Sequence, residues 1–481
     1  MDFIQTQLID PVNKVLWTYV LVYLLVGAGI YFTIRTRFVQ IRYFRRMLGQ
    51  LFNSRVGDGG ISSFQAFCVG LASRVGTGNI AGVAIALTVG GPGAIFWMWV
   101  VALIGMATAL IEATLAQIFK VRAGDGTFRG GPAYYIQRGL GSRAGGMVFA
   151  VLLVFTFGFA FNMVQANAIA DVLNATHAVE QHYTTIGLVL LAAPVLFGGV
   201  RRVAKVAEVV LPVMAAAYVL LAFVIIALNV TRIPEVFTQI IGGAFGIQEM
   251  AGGFAGGIAA AMLNGVKRGL FSNEAGMGSA PNVAATATVS HPVKQGLIQS
   301  LGVFVDTMIV CTATAFIILV SGPAIYDPSA PTKMAGASLT QAAVAASLGS
   351  WTTWLMTVLV FVFAFSSVLG NYVYAEVNLF FLGAKKQAIN VFRVMVLVAI
   401  SIGALARLDG VWALADVSMG LMAIVNLIAI VLLGKWAFAA LRDYHLQGEA
   451  GEDPVFIADE ARLPGHLDGD IWTRSEAHSL R

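Results

Sequence analysis

The chain has 481 residues and a formal charge of +5, but 58% of its residues are hydrophobic, 11% are charged, and the mean hydropathy is +0.80. That balance leaves too few polar side chains to cover several soluble domains and suits a bundle of helices solvated by lipid. The positive charge does not mark a nucleic-acid-binding domain, because the basic residues fall between apolar runs and mostly on one side of them.

Runs of about 20 apolar residues predict eleven spans, at 15–34, 62–90, 93–119, 145–173, 183–199, 206–229, 250–289, 296–320, 351–382, 388–406 and 411–433. The first follows Asp2, Asp10 and Lys14 rather than a basic leader and has no small-residue cleavage site, so it reads as a retained span. Alternate connections are unequal: one side holds 22 Lys and Arg, from Arg35 through Lys120, Arg201, Lys294 and Lys385 to the tail, and the other holds only Lys14, Arg232, Lys333 and Arg407. The positive-inside rule therefore predicts an outside N-terminus and a cytoplasmic tail from Lys435 onward, which its charges mark as a solvated extension. Both cysteines, Cys68 and Cys311, lie in apolar runs, and all six histidines lie in polar connections or the tail, which argues against a disulfide framework, a haem or a histidine-zinc centre.

Two spans are interrupted. The second contains Ser73-Arg74-Val75-Gly76-Thr77-Gly78-Asn79 near its middle, and the seventh carries Gly252, Gly253, Gly256, Gly257, Gly265, Gly269, Gly276, Gly278 and Pro281 among Asn264, Lys267, Arg268, Asn273 and Glu274. No continuous lipid-facing helix holds the latter sequence. Breaks five spans apart predict inverted repeats, 61–230 and 231–434, preceded by an extra helix and basic segment at 1–60 and followed by the tail at 435–481.

Unwinding a helix in lipid frees backbone N–H groups, which suit a carboxylate, and carbonyls, which suit an ammonium or Na⁺. At the first break Gly76, Thr77, Gly78 and Asn79 are candidates; the glycines would equally serve helix packing. At the second, Phe271, Ser272, Asn273, Gly276, Met277 and Gly278 are candidates, and Glu274 needs a partner such as Arg74, Lys267 or Arg268. Asp306, with Thr307 beside it, is a lone acid in an apolar run and a candidate Na⁺ ligand or proton carrier. Asn162 and Gln165 share a helix face, Ser366 and Ser367 are hydroxyls whose commoner role is to bond their own helix, and Glu112 and Glu376 read as interhelical partners. Sodium favours hard oxygen donors, which the set Asn79, Ser272, Asp306, Thr307, Ser366 and Ser367 supplies.

The segments Val75-Gly76-Thr77-Gly78-Asn79-Ile80-Ala81-Gly82-Val83, Gly130-Gly131-Pro132-Ala133-Tyr134-Tyr135-Ile136 and Gly269 through Pro281 resemble the signatures of the alanine or glycine:cation symporter family over about residues 15–435. The resemblance implies an all-α leucine-transporter-type fold of ten core helices plus one, no cofactor, and Na⁺-coupled uptake of alanine, glycine or another small neutral amino acid, with proton coupling as the alternative. It implies one sodium site at Asn79, Ser272 and Asp306 or Thr307, and another at Ala72, Val75, Ser366 and Ser367. In the run Val368-Leu369-Gly370-Asn371-Tyr372, Asn371 stands where many members of the family have Trp, which makes a roomier, more polar pocket suited to glutamine. A channel would use similar polar breaks, and the absence of H-E-x-x-H, G-x-S-x-G and a mid-span histidine argues against an intramembrane hydrolase.

Overall fold

The computed structural model describes residues 5–52, 60–124, 126–198, 200–246, 256–328, 336–467, 469 and 471–475. Gly252 and Gly253 of the seventh predicted span, Arg55 and Lys333 lie outside the described residues. Apart from the short helices Val39–Arg42 and Phe44–Phe52, the α-helices, in order, are α1 (Gln5–Arg35), α2 (Ser63–Arg74), α3 (Gly78–Gly90), α4 (Gly93–Ile118), α5 (Pro132–Leu140), α6 (Arg143–His177), α7 (Gln181–Leu196) and α8 (Val200–Leu228). Then follow α9 (Ile233–Ala244), α10 (Gly256–Asn273), α11 (Pro281–Ala284), α12 (Pro292–Val320), α13 (Ala337–Leu348), α14 (Thr352–Phe381), α15 (Lys386–Leu405) and α16 (Leu408–Glu449).

Among the described residues, eight helices are long and apolar enough to cross a bilayer, and α2 with α3, bent by 47° at their break, makes a ninth. Two of the eleven predicted spans fall short of that measure. The fifth is α7, only 16 residues long, and the seventh divides into α10 and α11 across 274–280. The outer surface of the bundle is apolar, with Tyr19, Tyr23, Leu190, Phe223, Trp351 and Trp354 exposed, as lipid-facing side chains would be.

Local sequence sets the ends of the first rod, α2–α3. Ser62 opens α2 with a capping box: its hydroxyl accepts from Gln65 N (3.0 Å) while Gln65 Oε1 accepts from Ser62 N (3.0 Å). Small residues then let rods and neighbours approach closely. A Cβ on Gly370 of α14 would meet Ser73 N at 2.9 Å, and one on Gly265 of α10 would run into the Ala94 carbonyl of α4. The second rod, α10–α11, lies along α4, which also packs on α12. At its C-terminal end it meets the start of the first, where Ile61 N donates to Thr286 O (3.2 Å) and Thr288 N to Ile61 O (3.0 Å).

The tail departs from its predicted form. Helix α16 continues to Glu449, and the described residues from 453 to 475 fold back onto the bundle, burying Val455, Phe456, Ala461, Ile471 and Trp472. Apolar anchors spaced irregularly through a charged segment leave no periodic pattern to read.

Candidate ion and substrate site

The two breaks touch. A Cβ on Gly78 would lie 3.0 Å from Phe271 Cδ1 and 3.2 Å from the Ser272 Cα, so any side chain there would push the two breaks a few tenths of an ångström apart. Beyond it, Gly78–Gly82 winds as a π segment, as do Thr156–Ala160 in α6 and Phe304–Cys311 in α12, and each carries or adjoins a candidate residue. Such segments cluster at functional sites because they re-aim side chains and loosen backbone groups.

Asp306 is the hub. Its Oδ1 accepts from Asn79 Nδ2 (2.7 Å), and its Oδ2 accepts from Ser272 Oγ (2.7 Å) and Thr307 Oγ1 (2.8 Å). The carboxylate thus joins the first rod to the second through α12. Asn79 is oriented by its partners: its amide nitrogen faces Asp306, and its oxygen accepts from Gly76 N (3.0 Å). Asn273 Nδ2 donates to Thr307 (3.2 Å), which brings four of the predicted oxygen donors together. Cys311 joins them, with Sγ 3.1 Å from Ser272 Oγ and 3.3 Å from Asn79 Nδ2. Read as a plain apolar-run residue, it gave no sign of this; its spacing of five from Asp306 places it nearby only because the intervening turn is a π turn.

The end of α2 forms a second cluster. Ser367 Oγ lies 2.9 Å from the Ala72 carbonyl and 3.1 Å from its own Phe363 carbonyl, and a Cβ on Gly76 would overlap that hydroxyl. Ser366, predicted to share this place, instead donates to Phe363 O within its own helix (2.9 Å). Val75 is fully buried in the break itself, its N–H closing the last turn on Leu71 O (2.7 Å).

A polar chain runs beside the break. Thr77 N donates to Gln165 Oε1 (3.2 Å), Ser73 Oγ lies 2.8 Å from both Glu274 Oε1 and Asn371 Oδ1, and Asn371 Nδ2 donates to Asn162 Oδ1 (3.0 Å). The sequence reading named Asn162, Gln165 and Asn371 but gave Ser73 no role. Glu274 hydrogen-bonds to none of the partners expected of it, being held by Ser73 and by Ser279 Oγ (2.6 Å), while the Arg74 charge acts on it without a direct bond. Arg74 donates to the Gln299 carbonyl (3.2 Å), and Lys267 and Arg268 both pair with Asp416 of α16, at 3.3 and 2.5 Å.

That last pair closes the site from the α10 side. Phe271 sits between Phe161 (4.5 Å between centroids) and Trp412 (4.6 Å), and the Arg268 guanidinium lies 4.6 Å over Trp412. Gly276, Met277 and Gly278, candidates at the second break, lie within that break but pack against residues outside the first one. Gly276 N donates to Glu112 (3.0 Å), its missing side chain faces Leu427 and Leu25, that of Gly278 faces Asn426 and Pro132, and Met277 is fully buried with its N–H on Glu274 O (3.1 Å). Asn426 closes this network, donating to Glu112 and to Gly276 O (3.0 Å) and accepting from Tyr135.

The model of the Sodium:alanine symporter family matches residues 1–458. The probable sodium/glutamine symporter GlnT of Bacillus subtilis (strain 168) is 47% identical over 487 residues, covering 100% of this chain and 99% of that protein. The amino-acid carrier protein AlsT of the same organism is 48% identical over 472 residues, 98% of each chain. Among solved structures, MhsT in complex with L-phenylalanine superposes with a TM-score of 0.56 at 13% identity, covering 89% of this chain and 97% of that one, a likeness of fold.

Proposed function

Because the chain belongs to the sodium:alanine symporter family, we propose that it is a sodium-coupled importer of a small neutral amino acid, working by alternating access. The observation that carries this reading is the Asp306 hub, where one carboxylate collects donors from both interrupted rods. A cation bound there would draw the same oxygens inward, so ion binding and the closing of the rods become one event. Ser272, Asp306 and Thr307 supply hard donors to one ion, joined by the Asn79 oxygen once its amide turns away from Gly76 N, and Ala72, Val75 and Ser367 supply a second. Ser366 is left out, since its hydroxyl serves its own helix.

The substrate carboxylate takes the break N–H groups of Gly76 and Thr77, replacing the side-chain oxygens of Asn79 and Gln165 that now accept from them. Phe271 covers the apolar part. Asn162, Asn371 and Ser73 form a wall of amide and hydroxyl groups that suits a side-chain carboxamide, so glutamine joins alanine and glycine as a candidate, in keeping with the name of the 47% identical relative. The repeats are 61–230 and 231–434, the protein sits in a bacterial inner membrane, and its tail faces the cytoplasm.

Uptake of a panel of labelled amino acids into proteoliposomes, with and without an inward sodium gradient, tests this. Gradient-dependent accumulation of one or more neutral amino acids is expected. Accumulation driven equally by a proton gradient without sodium would transfer the coupling role of Asp306 to a proton, and absence of counterflow would point to a channel.

A further inference from the structure

The segment that follows α16 makes contacts a solvated tail would not make, and they converge on one place: residues 284–294, where the second rod ends and α12 begins. Phe456 N donates to Ser290 O (2.8 Å), Ser290 Oγ donates to Pro454 O (3.1 Å), and Lys294 Nζ pairs with Asp453 (2.5 Å). The Phe456 ring packs on His291 (5.2 Å) and on Trp472 (5.4 Å), and Ala458 N donates to Trp472 O (3.0 Å), so the tail doubles back on itself. Trp472 in turn reaches the scaffold: its indole N–H donates to Gln117 O at the end of α4 (3.0 Å), with Lys120 Nζ 4.8 Å from its ring.

Gln117 and Lys120 also hold the rod. Gln117 Nε2 donates to the carbonyls of Ala284 (2.6 Å) and Ala287 (3.0 Å), and Lys120 Nζ donates to Ala287 O (3.1 Å). The carbonyls of 284, 287 and 290 are therefore taken by α4 or by the tail, and the α4 residues that hold two of them carry Trp472 on their other side. From this geometry we propose that the folded tail, anchored at Asp453, Phe456 and Trp472, is a latch that holds the cytoplasmic end of the second rod shut and must loosen for the site to open inward. A rod tied to α4 and α16 through an aromatic plug cannot swing without breaking those bonds, whereas a detached tail leaves the Gln117, Lys120 and Ile61 contacts and the His291–Asp443 bond to α16. This rests on the alternating-access reading, of which it is the regulation.

Hydrogen exchange of the full-length protein in detergent or nanodiscs tests the latch without requiring transport. In Trp472→Ala, amides in 284–294 are expected to exchange at least about tenfold faster, roughly 1.4 kcal/mol of local opening, while α6 and α14 keep their protection. The charge swap Lys294→Asp with Asp453→Lys is expected to restore protection lost in Lys294→Asp alone, which serves if Trp472→Ala expresses poorly. In proteoliposomes, Trp472→Ala is expected to change the initial rate of alanine or glutamine uptake by severalfold. Unchanged exchange in 284–294, or exchange accelerated throughout the chain, would overturn the latch. A wild-type protein that accumulates no amino acid would overturn the transport reading while leaving the exchange result to judge the latch alone.

Discussion

The first break occupies only Val75 to Thr77 with no residue at positive φ, whereas the second runs through Glu274 to Ala280 and takes positive φ at Glu274, Gly276 and Gly278. Their attachments differ as well. The first is held by buried side chains, Asn79, Gln165, Ser367 and the donors around Asp306. The second is bolted to α4 and α16 by Glu112, Asn426 and Tyr135, away from the other rod. In the proposed transporter the two interruptions divide the labour: the first forms the binding surface and the second supplies a bend that brings Phe271 and Ser272 to it.

The comparison breaks most visibly at Glu112. Replacing it with Leu leaves the Gly276 N–H as a buried donor without an acceptor, at about 1–3 kcal/mol, and strips Asn426 Nδ2 of one of its two acceptors. Glu112→Leu should therefore lower the melting temperature in detergent sharply, while Asn79→Ala at the first break should abolish transport with a far smaller thermal effect. Equal thermal losses would erase the distinction. Asp306→Asn, on the shared hub, should weaken apparent sodium affinity by at least about tenfold, or about 1.4 kcal/mol, with little change in the order of preferred substrates. Uptake with unaltered sodium dependence would count against the hub.

The smallest effect concerns pH. His291, just beyond the second rod, is fully buried; its Nδ1 accepts from Val293 N (3.1 Å) and its Nε2 lies 3.2 Å from Asp443. Burial lowers its pKa below the ordinary value, outweighing Asp443 and Asp453, which raise it, while Lys294 lowers it further. The unfolded chain thus takes up the proton first, at about pH 6.5. The stabilising contribution is fully present above that value and is lost as pH falls through the lower folded-state pKa. Protection of residues around 291 should weaken in that acid window in wild type and become pH-independent in His291→Gln. No comparable titrating cap holds the described start of the first rod, where Ser62 does that work.

Much of this was readable in the chain because lipid imposes strong rules. Long apolar runs, a lopsided distribution of basic residues and glycines inside two spans are local patterns, and they led to the helical bundle, the fold of the neighbours and the two breaks. Partners distant in sequence were not readable. Arg268 meets Asp416 across 148 positions, Ser73 meets Asn371 across 298, and nothing near either residue announces the other. Gly276 and Gly278 looked like binding glycines because the same residue type serves close approach and positive φ, and here they serve the bend.

Glu274 adopts φ +59°, a left-handed conformation that asks about 1–2 kcal/mol of a residue with a Cβ. Its carboxylate nevertheless collects Ser73 from one rod and Ser279 from its own. Glycine there would relax the backbone and remove the side-chain link that joins Ser73 to Ser279. A thermostabilisation campaign that scored folded yield alone would therefore be drawn toward Glu274→Gly, and it would select a molecule whose two rods are coupled through the Asp306 hub without the Glu274 tether.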